Sequence, residues 1–452
     1  MIKSLVDDQL FLSKKLLVNM KTYRLISLGC KVNAYEVEAV AALLRAEGYQ
    51  EAARGEAPSL VIINTCAVTK KSEKKSRQVI RKAIRESPQA IIAVMGCLSQ
   101  IRPEVIKKIP GVDIIVGTSQ RSQIPRLVKE HQKDLLPKDR LSQRRATIYE
   151  EFGVPTRSAQ TRAYLKIQDG CDHFCSYCLI PFARGQSRSR AVAPLVQEAQ
   201  ALVENGHLEL VLTGINTGTY GRDLVNINLT KLIKILLQEV PDLARIRISS
   251  IEIGEIDEEL ITLLQQEERL ARHLHIPLQS GSASVLKRMK RPYDPKAFAD
   301  KVALIRQAIP DIALSTDVIV GFPGETKEEF NETYALIKKI GFSRLHVFPF
   351  SARSQTVAAT LPHQVDETSK KTRVQTLLKL NDELVSTYQQ RFIGQTLSAV
   401  FEEYDPQGDV YRGHTSNYLE VCVRSAVPLR GKMVNIIYNP VLCILEKVSD
   451  NQ

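Results

Sequence analysis

The sequence contains no apolar run near the roughly 20 residues that a bilayer-spanning helix needs. Its first twenty residues carry Asp7, Asp8, Lys14 and Lys15 without a continuous apolar segment, so they do not resemble a signal peptide. There is also no internal repeat and no low-complexity tract. These absences favour a soluble, cytoplasmic protein without a membrane partner.

The composition excludes the fibrous and disordered classes of protein. The 452 residues are 44% hydrophobic and 25% charged, with 22 Gly and 20 Pro, which is typical of globular chains. At roughly 150 residues for each domain, this length predicts about three domains.

Positive charge is concentrated in the first third of the chain. The formal net charge is +12 at pH 7, and residues 1–150 carry 27 Lys and Arg against 15 Asp and Glu. Clustered cations bind phosphates by releasing counterions, so this third is the candidate surface for a polyanionic partner. A solvated surface without a partner is the alternative.

The first third alternates short β-branched segments with helical patterns, such as Tyr35–Glu47 and Ser72–Arg85. The predicted strands are Tyr23–Leu28, Leu60–Ile63, Ile91–Val94 and Asp113–Val116. This alternation predicts an α/β domain with a parallel sheet over residues 22–131, after an extension at 1–21. Residues 132–161 are polar and are expected to form a linker.

A second strand–helix series occupies residues 162–391. The predicted strands are Ala163–Ile167, Leu208–Thr213, Arg245–Ser249, His273–Ile276, Ala313–Val320 and Arg344–Phe348. Six β/α units favour an incomplete (β/α)6 barrel of the TIM type, followed by a long helix at Glu367–Arg391. Residues 392–452 change to short strands separated by Gly and Pro, which predicts a small all-β barrel.

Eight cysteines in a chain without a signal peptide are expected to be thiols. Cys171, Cys175 and Cys178 form a C-x3-C-x2-C loop directly after the first strand of the second series. Three thiolates in one loop suit zinc or an iron–sulfur cluster, and a four-iron cluster with three protein ligands keeps one iron open. A structural zinc site completed by His173 or by a distant ligand is the alternative.

A second trio consists of Cys30, Cys66 and Cys97, each near the end of a strand of the first series. Because the carboxyl ends of parallel strands meet at one edge of a sheet, these thiols are expected to come together. Three separate buried cysteines are the alternative. Cys422 and Cys443 lie in C-terminal strands and are interpreted as core residues.

The C-x3-C-x2-C loop resembles the cluster loop of radical S-adenosylmethionine enzymes, and the second trio resembles that of the methylthiotransferases. The segment Leu28-Gly29-Cys30-Lys31-Val32-Asn33-Ala34-Tyr35-Glu36 is similar to the branch that methylthiolates threonylcarbamoyladenosine at position 37 of tRNA. The resemblance extends over roughly residues 22–450, and the C-terminal domain resembles the TRAM barrel that delivers RNA.

This resemblance implies a radical enzyme with two [4Fe-4S] clusters and S-adenosyl-L-methionine. Cys171, Cys175 and Cys178 would hold the cluster that generates a 5′-deoxyadenosyl radical, and the second trio would hold the auxiliary cluster that delivers sulfur. Contacts to S-adenosylmethionine are implied for Tyr177, Gly214, Ser250, Glu252, Gln279 and Gly321. Each of these positions other than Tyr177, taken alone, is also compatible with a turn and a helix cap.

The implied partners are the anticodon loop of a tRNA, an electron donor and a sulfur donor, with the protein itself a monomer. A strongly cationic helix follows Cys66, and its charged side chains recur every three or four residues as one stripe. The candidate RNA-binding residues are Lys70, Lys74, Arg77 and Arg81 on this helix, with Arg188 and Arg190 beyond the cluster loop.

Two alternatives to this function stay open from the sequence. Within the same family, the substrate could be isopentenyladenosine in tRNA or a ribosomal-protein aspartate. In a different class, the chain could be a zinc-stabilised RNA-binding protein without catalysis.

Overall fold

The computed structural model describes residues 21–131, 139–140, 147–154 and 161–446, which divide into two compact units. The first unit comprises the described residues within 1–146, together with Glu150–Gly153 and Phe182–Arg184. The second unit comprises Thr147–Tyr149, most of the chain from Val154 to Pro181, and everything described from Gly185 onwards.

The first unit is a six-stranded parallel sheet with helices. Its strands are β1 (Thr22–Ser27), β2 (Gln50–Glu51), β3 (Leu60–Thr65), β4 (Ile91–Gly96), β5 (Ile114–Val116) and β6 (Asp139–Arg140). Its helices are α1 (Lys31–Ala46), α2 (Lys70–Glu86), α3 (Cys97–Ile101), α4 (Pro103–Lys107) and α5 (Ile124–His131), with a 3₁₀ turn at Arg121–Gln123.

The strand order is β2-β1-β3-β4-β5-β6, and every pairing is parallel. The four strands predicted for this domain are confirmed to within one or two residues. The central strand β3 is buried along its whole length, because a parallel sheet is covered on both faces. The expected linker contributes β6, while residues 132–138, 141–146 and 155–160 lie outside the described residues.

The second unit begins with the barrel strands, a short antiparallel strand pair and the helices that connect them. The strands are β7 (Arg162–Lys166), β8 (Gln168–Asp169), β9 (Arg188–Ser189), β10 (Glu209–Thr213), β11 (Arg245–Ile248), β12 (His273–His275), β13 (Ala313–Val320) and β14 (Arg344–Pro349). The helices are α6 (Ile180–Arg184), of which only Ile180 and Pro181 belong to this unit, α7 (Val192–Glu204), α8 (Leu229–Glu239), α9 (Glu258–Gln266), α10 (Ala283–Met289), α11 (Pro295–Ala308), α12 (Lys327–Ile340) and α13 (Glu367–Gln390). Short 3₁₀ turns lie at Thr217–Thr219, Ile253–Glu255 and Val357–Ala359.

Six parallel strands build the predicted incomplete barrel. They pair in the orders β7-β10-β11 and β12-β13-β14, and parallel bridges from Ser250 to His275 and from Ile246 to Leu270 join the two groups. The apolar core lies between these strands and the surrounding helices. Because all six strands are parallel, their carboxyl ends and the loops that follow face the same edge.

The C-terminal part of this unit is an antiparallel sheet in the order β17-β16-β15-β18-β19. Its strands are β15 (Thr396–Asp405), β16 (Val410–Thr415), β17 (Glu420–Val423), β18 (Met433–Ile437) and β19 (Ile444–Leu445). The Cys443 amide donates to the Cys422 carbonyl at 2.8 Å, which links the two ends of the curled sheet. Cys443 is buried in the core of this sheet, as expected, whereas Cys422 is half-buried and its Sγ accepts from Arg412.

Among the residues that the structure describes, no helix has the length and apolar character that crossing a bilayer demands.

A buried carboxylate joins the amino-terminal ends of the barrel strands to the C-terminal sheet. Glu209 is bound by Arg247 through two hydrogen bonds, at 2.6 and 3.2 Å, and by Arg245 at 3.3 Å. Arg247 also donates to the carbonyls of Thr415 and Ser416 at 3.1 and 3.0 Å. The guanidinium groups lower the pKa of Glu209 to about 2 despite its burial.

Replacing this carboxylate tests the network. Glu209→Gln leaves buried guanidinium groups without a counter-ion, so the free energy of unfolding should fall by about 3–5 kcal/mol in urea titrations at pH 7. Because the folded-state pKa is depressed, the stabilisation is complete above the ordinary Glu pKa of about 4.3 and is lost as pH falls towards 2.

The matched control is Glu259→Gln. Glu259 forms an exposed ion pair with Lys234, which solvent screens, so its replacement should leave the midpoint of urea unfolding unchanged. Equal losses in the two variants would contradict the role assigned to Glu209.

Candidate functional site

The C-x3-C-x2-C loop begins where β8 ends, at the carboxyl edge of the barrel. Gly170 has φ +78, and a Cβ there would lie 1.9 Å from the Gln186 carbonyl, so only glycine fits this turn. The Cys171 amide donates to the Gly185 carbonyl at 3.1 Å, and the Cys178 amide donates to the Cys175 carbonyl at 2.9 Å. These bonds fold the loop back on itself.

The three thiols of this loop are electrostatic neighbours. Burial, together with the neighbouring thiol of Cys175, raises the pKa of Cys171 to about 11 and that of Cys178 to about 12. Thiolates in such surroundings require nearby positive charge, which a bound metal centre supplies. Three sulfur donors therefore fit a soft metal centre such as an iron–sulfur cluster.

The residues predicted to contact S-adenosylmethionine lie at this same edge of the barrel. Gly214 follows β10, Gln279 follows β12, and Gly321 follows β13. Tyr177 is partly buried in the cysteine loop, and its ring meets the edge of Phe322 at a centroid distance of 6.4 Å. Gln279 adopts φ +62, a left-handed conformation that is rare for a residue with a side chain.

Glu252, another predicted cofactor contact, is linked to the cysteine loop through an arginine that the sequence did not single out. Arg291 forms an ion pair with Glu252, and its Nη1 donates to the Cys175 Sγ at 3.5 Å. Ser250, two residues earlier, accepts through its carbonyl from the Thr217 hydroxyl at 2.5 Å. No local motif surrounds Arg291, so only the fold reveals its position.

Gln168 is a second residue that the sequence did not single out. Its Oε1 accepts from the amides of Ile215 and Asn216, both at 3.0 Å, and its Nε2 donates to the Gly170 carbonyl at 2.9 Å. One amide side chain thereby fixes the Gly214 turn against the start of the cysteine loop. The sequence offered one signal for Gln168, its position directly after a predicted parallel strand, where functional side chains are common.

The Gly321 turn is held by Glu325, in the loop before α12, and by side chains of the long helix α13. The Gly321 amide donates to the buried Glu325 carboxylate at 2.5 Å, and Arg373 of α13 donates to the same oxygen at 2.5 Å. A Cβ at Gly321, which has φ +70, would lie 2.3 Å from the Lys370 side chain. Packing of the long helix therefore shapes this turn.

The second cysteine trio lies at the carboxyl edge of the sheet in the first unit. Cys30 is exposed, whereas Cys66 and Cys97 are buried. Burial, together with the thiols of Cys66 and Cys30, raises the pKa of Cys97 to about 12, so the three are electrostatic neighbours. Glycines with φ +116 and +103, Gly29 and Gly96, precede two of them.

Within the described ranges, no three His, Cys, Asp or Glu side chains have the geometry of a site for a single metal ion. A four-iron cluster binds its thiolates at separate irons, so its ligands do not need to converge on one point. The trio of Cys30, Cys66 and Cys97 provides sulfur donors of the same kind as the first loop.

A buried polar network supports Cys30. The Cys30 Sγ lies 3.4 Å from the Oδ1 of Asn33, and that oxygen also accepts from Arg184 at 2.9 Å. Arg184 in turn binds Glu36 at 2.8 Å, and Arg121 forms a second buried ion pair with Glu36. Asn33 and Glu36 belong to the segment that carries the family resemblance, and the structure gives both of them structural partners.

Helix α2 presents most of its cations to solvent. Lys70, Lys74 and Arg81 are exposed, whereas Ile80 and Ala83 are buried against the sheet. Arg77 differs from the predicted stripe, because its Nη1 lies 2.6 Å from the buried Glu73 carboxylate, which Arg102 also contacts.

Arg188 and Arg190 are not surface residues, so their prediction as RNA contacts is wrong. They are 1% and 0% exposed. Arg188 lies 3.2 Å from Asp169, and Arg190 forms an ion pair with Glu198. Buried carboxylates on neighbouring elements, which the local sequence does not reveal, neutralise both guanidinium groups.

Two protein families match the chain in the regions that carry the cysteines. Residues 22–117 match the family described as "Uncharacterized protein family UPF0004", and residues 165–337 match the radical SAM superfamily. The first match contains Cys30, Cys66 and Cys97, and the second contains Cys171, Cys175 and Cys178.

Curated relatives match over nearly the whole length. The threonylcarbamoyladenosine tRNA methylthiotransferase MtaB of Bacillus subtilis is 44% identical over 92% of this chain and 93% of its own. MtaB of Thermotoga maritima is 37% identical over 90% of this chain and 91% of its own. The tRNA-2-methylthio-N(6)-dimethylallyladenosine synthase of Caldicellulosiruptor saccharolyticus is 33% identical over 92% of this chain and 89% of its own.

Solved structures support the fold. The radical S-adenosylmethionine methyltransferase TsrM of Kitasatospora setae superposes with a TM-score of 0.57 at 14% identity, over 72% of each chain. The cobalamin-dependent S-adenosylmethionine radical enzyme OxsB gives a TM-score of 0.51 at 13% identity, over 82% of this chain and 56% of its own.

The incomplete barrel and its cysteine loop are those of a radical S-adenosylmethionine enzyme, which brings a [4Fe-4S] cluster and S-adenosylmethionine as cofactors. With the long matches to curated relatives, the chain belongs to the radical S-adenosylmethionine tRNA methylthiotransferase family.

The geometry around Gly96 predicts the effect of one methyl group. In Gly96→Ala, the new Cβ would lie 2.2 Å from the Asn64 Oδ1 and 2.7 Å from the Thr65 carbonyl. An alanine at positive φ costs about 1–2 kcal/mol through its backbone conformation alone, so the loss of unfolding free energy should exceed that amount. The clash should also displace Cys97. Urea unfolding and the iron content of the reconstituted protein measure these two effects.

Gly55→Ala is the matched control, because Gly55 has φ +91 with nothing within 4 Å of the added Cβ. It should lose only the conformational part of the stability and retain its iron. A Gly96→Ala protein with the stability and iron content of this control would refute the steric argument.

Proposed function

We propose that this protein adds a methylthio group to C2 of N6-threonylcarbamoyladenosine at position 37 of tRNA. The observation that carries the proposal is the 44% identity to MtaB of Bacillus subtilis over 92% of the chain. The lower identity of 33% to the dimethylallyladenosine enzyme of Caldicellulosiruptor saccharolyticus makes dimethylallyladenosine the less favoured substrate. The match to the radical SAM superfamily does not favour a zinc-stabilised protein without catalysis.

The chemistry of the reaction explains why the first cysteine trio is required. The C2–H bond of adenine is neither acidic nor electrophilic, so side-chain acids, bases and nucleophiles cannot cleave it. When bound, a four-iron cluster and S-adenosylmethionine supply the radical chemistry that this bond requires. Cys171, Cys175 and Cys178 are the proposed ligands of that cluster.

The protein's own task at this site is to orient the cofactor and the base. Gln168 and Arg291 hold the Gly214 turn, Glu252 and the cysteine loop together, and Arg373 holds Glu325 against Gly321. The proposed S-adenosylmethionine contacts are Tyr177, Gly214, Ser250, Glu252, Gln279 and Gly321.

The second trio is proposed to hold the auxiliary cluster that supplies sulfur. Cys30, Cys66 and Cys97 share the soft donor chemistry of the first trio and its edge-of-sheet placement. An electron donor and a sulfur donor are then required as further partners. We also propose that the protein acts as a monomer in the cytoplasm, where tRNA is modified.

The tRNA is proposed to be bound through its phosphates by Lys70, Lys74 and Arg81, with the anticodon loop at the barrel edge. These three cations are exposed on one helix, and the unit that contains them carries the excess positive charge. A base is reached by enzymes of this kind only when it is turned out of the RNA stack.

The roles of the trios can be separated in vivo and in vitro. Transfer RNA from a deletion strain should lack 2-methylthio-N6-threonylcarbamoyladenosine in nucleoside mass spectrometry, and the wild-type gene should restore it. Cys171→Ala should fail to restore the nucleoside and should fail to cleave S-adenosylmethionine in vitro. Cys97→Ala should also fail to restore it, yet it should still form 5′-deoxyadenosine because the first trio is intact.

Iron analysis provides the control for this division of roles. Wild-type protein reconstituted anaerobically should bind about eight irons, and the triple variant of each trio about four. One zinc for each chain with negligible iron, or loss of cleavage in a folded Cys97→Ala protein, would contradict the proposal.

Exposed cations on α2 should govern the salt dependence of tRNA binding. Replacing Lys70, Lys74 and Arg81 by Gln should reduce the slope of log K against log salt by roughly two to three units, at about 0.7–0.9 for each lost phosphate contact. Cleavage of S-adenosylmethionine without RNA should not change. Binding is measured by fluorescence anisotropy with labelled tRNA.

Arg77→Gln is the control on the same helix. Its guanidinium is bound to Glu73, so this variant should keep the wild-type slope even where it lowers stability. An unchanged slope in the triple variant would mean that α2 is only a solvated helix.

A further inference from the structure

Three neighbouring barrel strands carry polar side chains on the face that points away from the helices. Leu274 of β12, Leu314 of β13 and Leu345 of β14 pack in the core between strands and helices. Side chains alternate along a strand, so the residues next to them project into the lumen of the barrel. The lumen-facing residues include His273, His275, Ser315, Asp317 and His346.

Hydrogen bonds connect four of these side chains. The Ser315 hydroxyl lies 2.9 Å from the His275 Nδ1 and 3.1 Å from the His273 Nε2. The His275 Nε2 lies 3.3 Å from the Asp317 carboxylate. Both ring nitrogens of His275 are therefore engaged, which fixes the orientation of its ring and of Asp317.

The open side of this group lies on β13 and β14. Asp317 pairs in register with His346, and Ile319 pairs with Phe348, so His346 and Phe348 share the lumenal face. The Asp317 side chain is 32% exposed, His346 is exposed, and Phe348 is 45% exposed. Exposed polar and aromatic groups on a barrel interior are unusual, because such interiors are normally filled by branched apolar side chains.

We propose that Asp317, His346 and Phe348 form the pocket that recognises the modified adenine, with the two polar residues selecting its N6 substituent. This inference rests on the proposed function and names the residues that decide which substituted adenine is accepted. Asp317 accepts from an N–H or O–H of the substituent, and His346 donates to its carbonyl or carboxylate. Phe348 packs against the ring, as aromatic side chains do with unstacked RNA bases.

The chemistry of the two family substrates explains this choice. A threonylcarbamoyl group contains N–H and O–H donors together with carbonyl and carboxylate acceptors. When it displaces water from Asp317 and His346, it can form hydrogen bonds to both side chains in place of that water. An isopentenyl group has no donor or acceptor, so it would displace water from Asp317 and His346 without replacing the hydrogen bonds of that water. Sites built from hydrogen-bonding groups reject analogues that lack the matching groups.

His346→Leu is the principal test, since His346 is exposed and the substitution should not disturb folding. Binding is measured with three anticodon stem-loops that differ only at position 37: threonylcarbamoyladenosine, isopentenyladenosine and adenosine. The wild type should prefer the threonylcarbamoyl RNA, and His346→Leu should lose about 10- to 100-fold of that preference over adenosine. Its affinity for the isopentenyl RNA should stay the same or rise.

Asp317→Asn provides a second variant of nearly equal size. It keeps an acceptor but removes the charge, so it should reduce the preference less than His346→Leu does. Asp300→Asn is the control, because Asp300 pairs with Lys296 on the outer surface of α11 and should leave every affinity unchanged.

The outcomes distinguish this pocket from the proposed function itself. An equal loss for all three RNAs in His346→Leu, or an unchanged preference in both variants, would overturn the pocket. A wild type that binds and methylthiolates only the isopentenyl RNA would instead overturn the proposed substrate.

Discussion

Parallel pairing of β-strands is the constraint on which both candidate sites depend. Parallel strands end at a common edge, so residues far apart in the chain meet there without any local sequence signal. In the first unit this edge gathers Cys30, Cys66 and Cys97, which are separated by more than thirty residues each. In the second unit it gathers the cysteine loop and the turns after four further strands.

Buried charge is the second feature that shapes both units, and in each case it is compensated. Glu36 is neutralised by Arg184 and Arg121, and Glu209 is neutralised by Arg245 and Arg247. A buried ion without its partner costs several kcal/mol, so these pairs restrict which arrangements of the elements are stable. The first network supports Cys30, and the second holds the barrel strands to the C-terminal sheet.

The longer parallel strands were predictable because they are short apolar runs, often β-branched, bounded by turn residues, whereas the two-residue strands β2, β6, β8 and β9 were not predicted. β13, for example, was predicted over its full length, 313–320. The glycines before Cys30 and Cys97 could also be noticed in the sequence, although their left-handed conformations are visible only in the structure. Gln168 and Arg291 were missed because their partners lie 47 and 116 residues away, respectively.

By itself, the sequence determined the element order, the two cysteine trios and the family, since these depend on local periodicity and short spacings. Only the tertiary structure decided which charges are available. Arg188 and Arg190 have the same side chain as Arg81, yet buried carboxylates on other elements neutralise them while Arg81 remains in solvent. The same holds for Asp317, His346 and Phe348, because strand pairing and an incomplete barrel place them together in an open lumen.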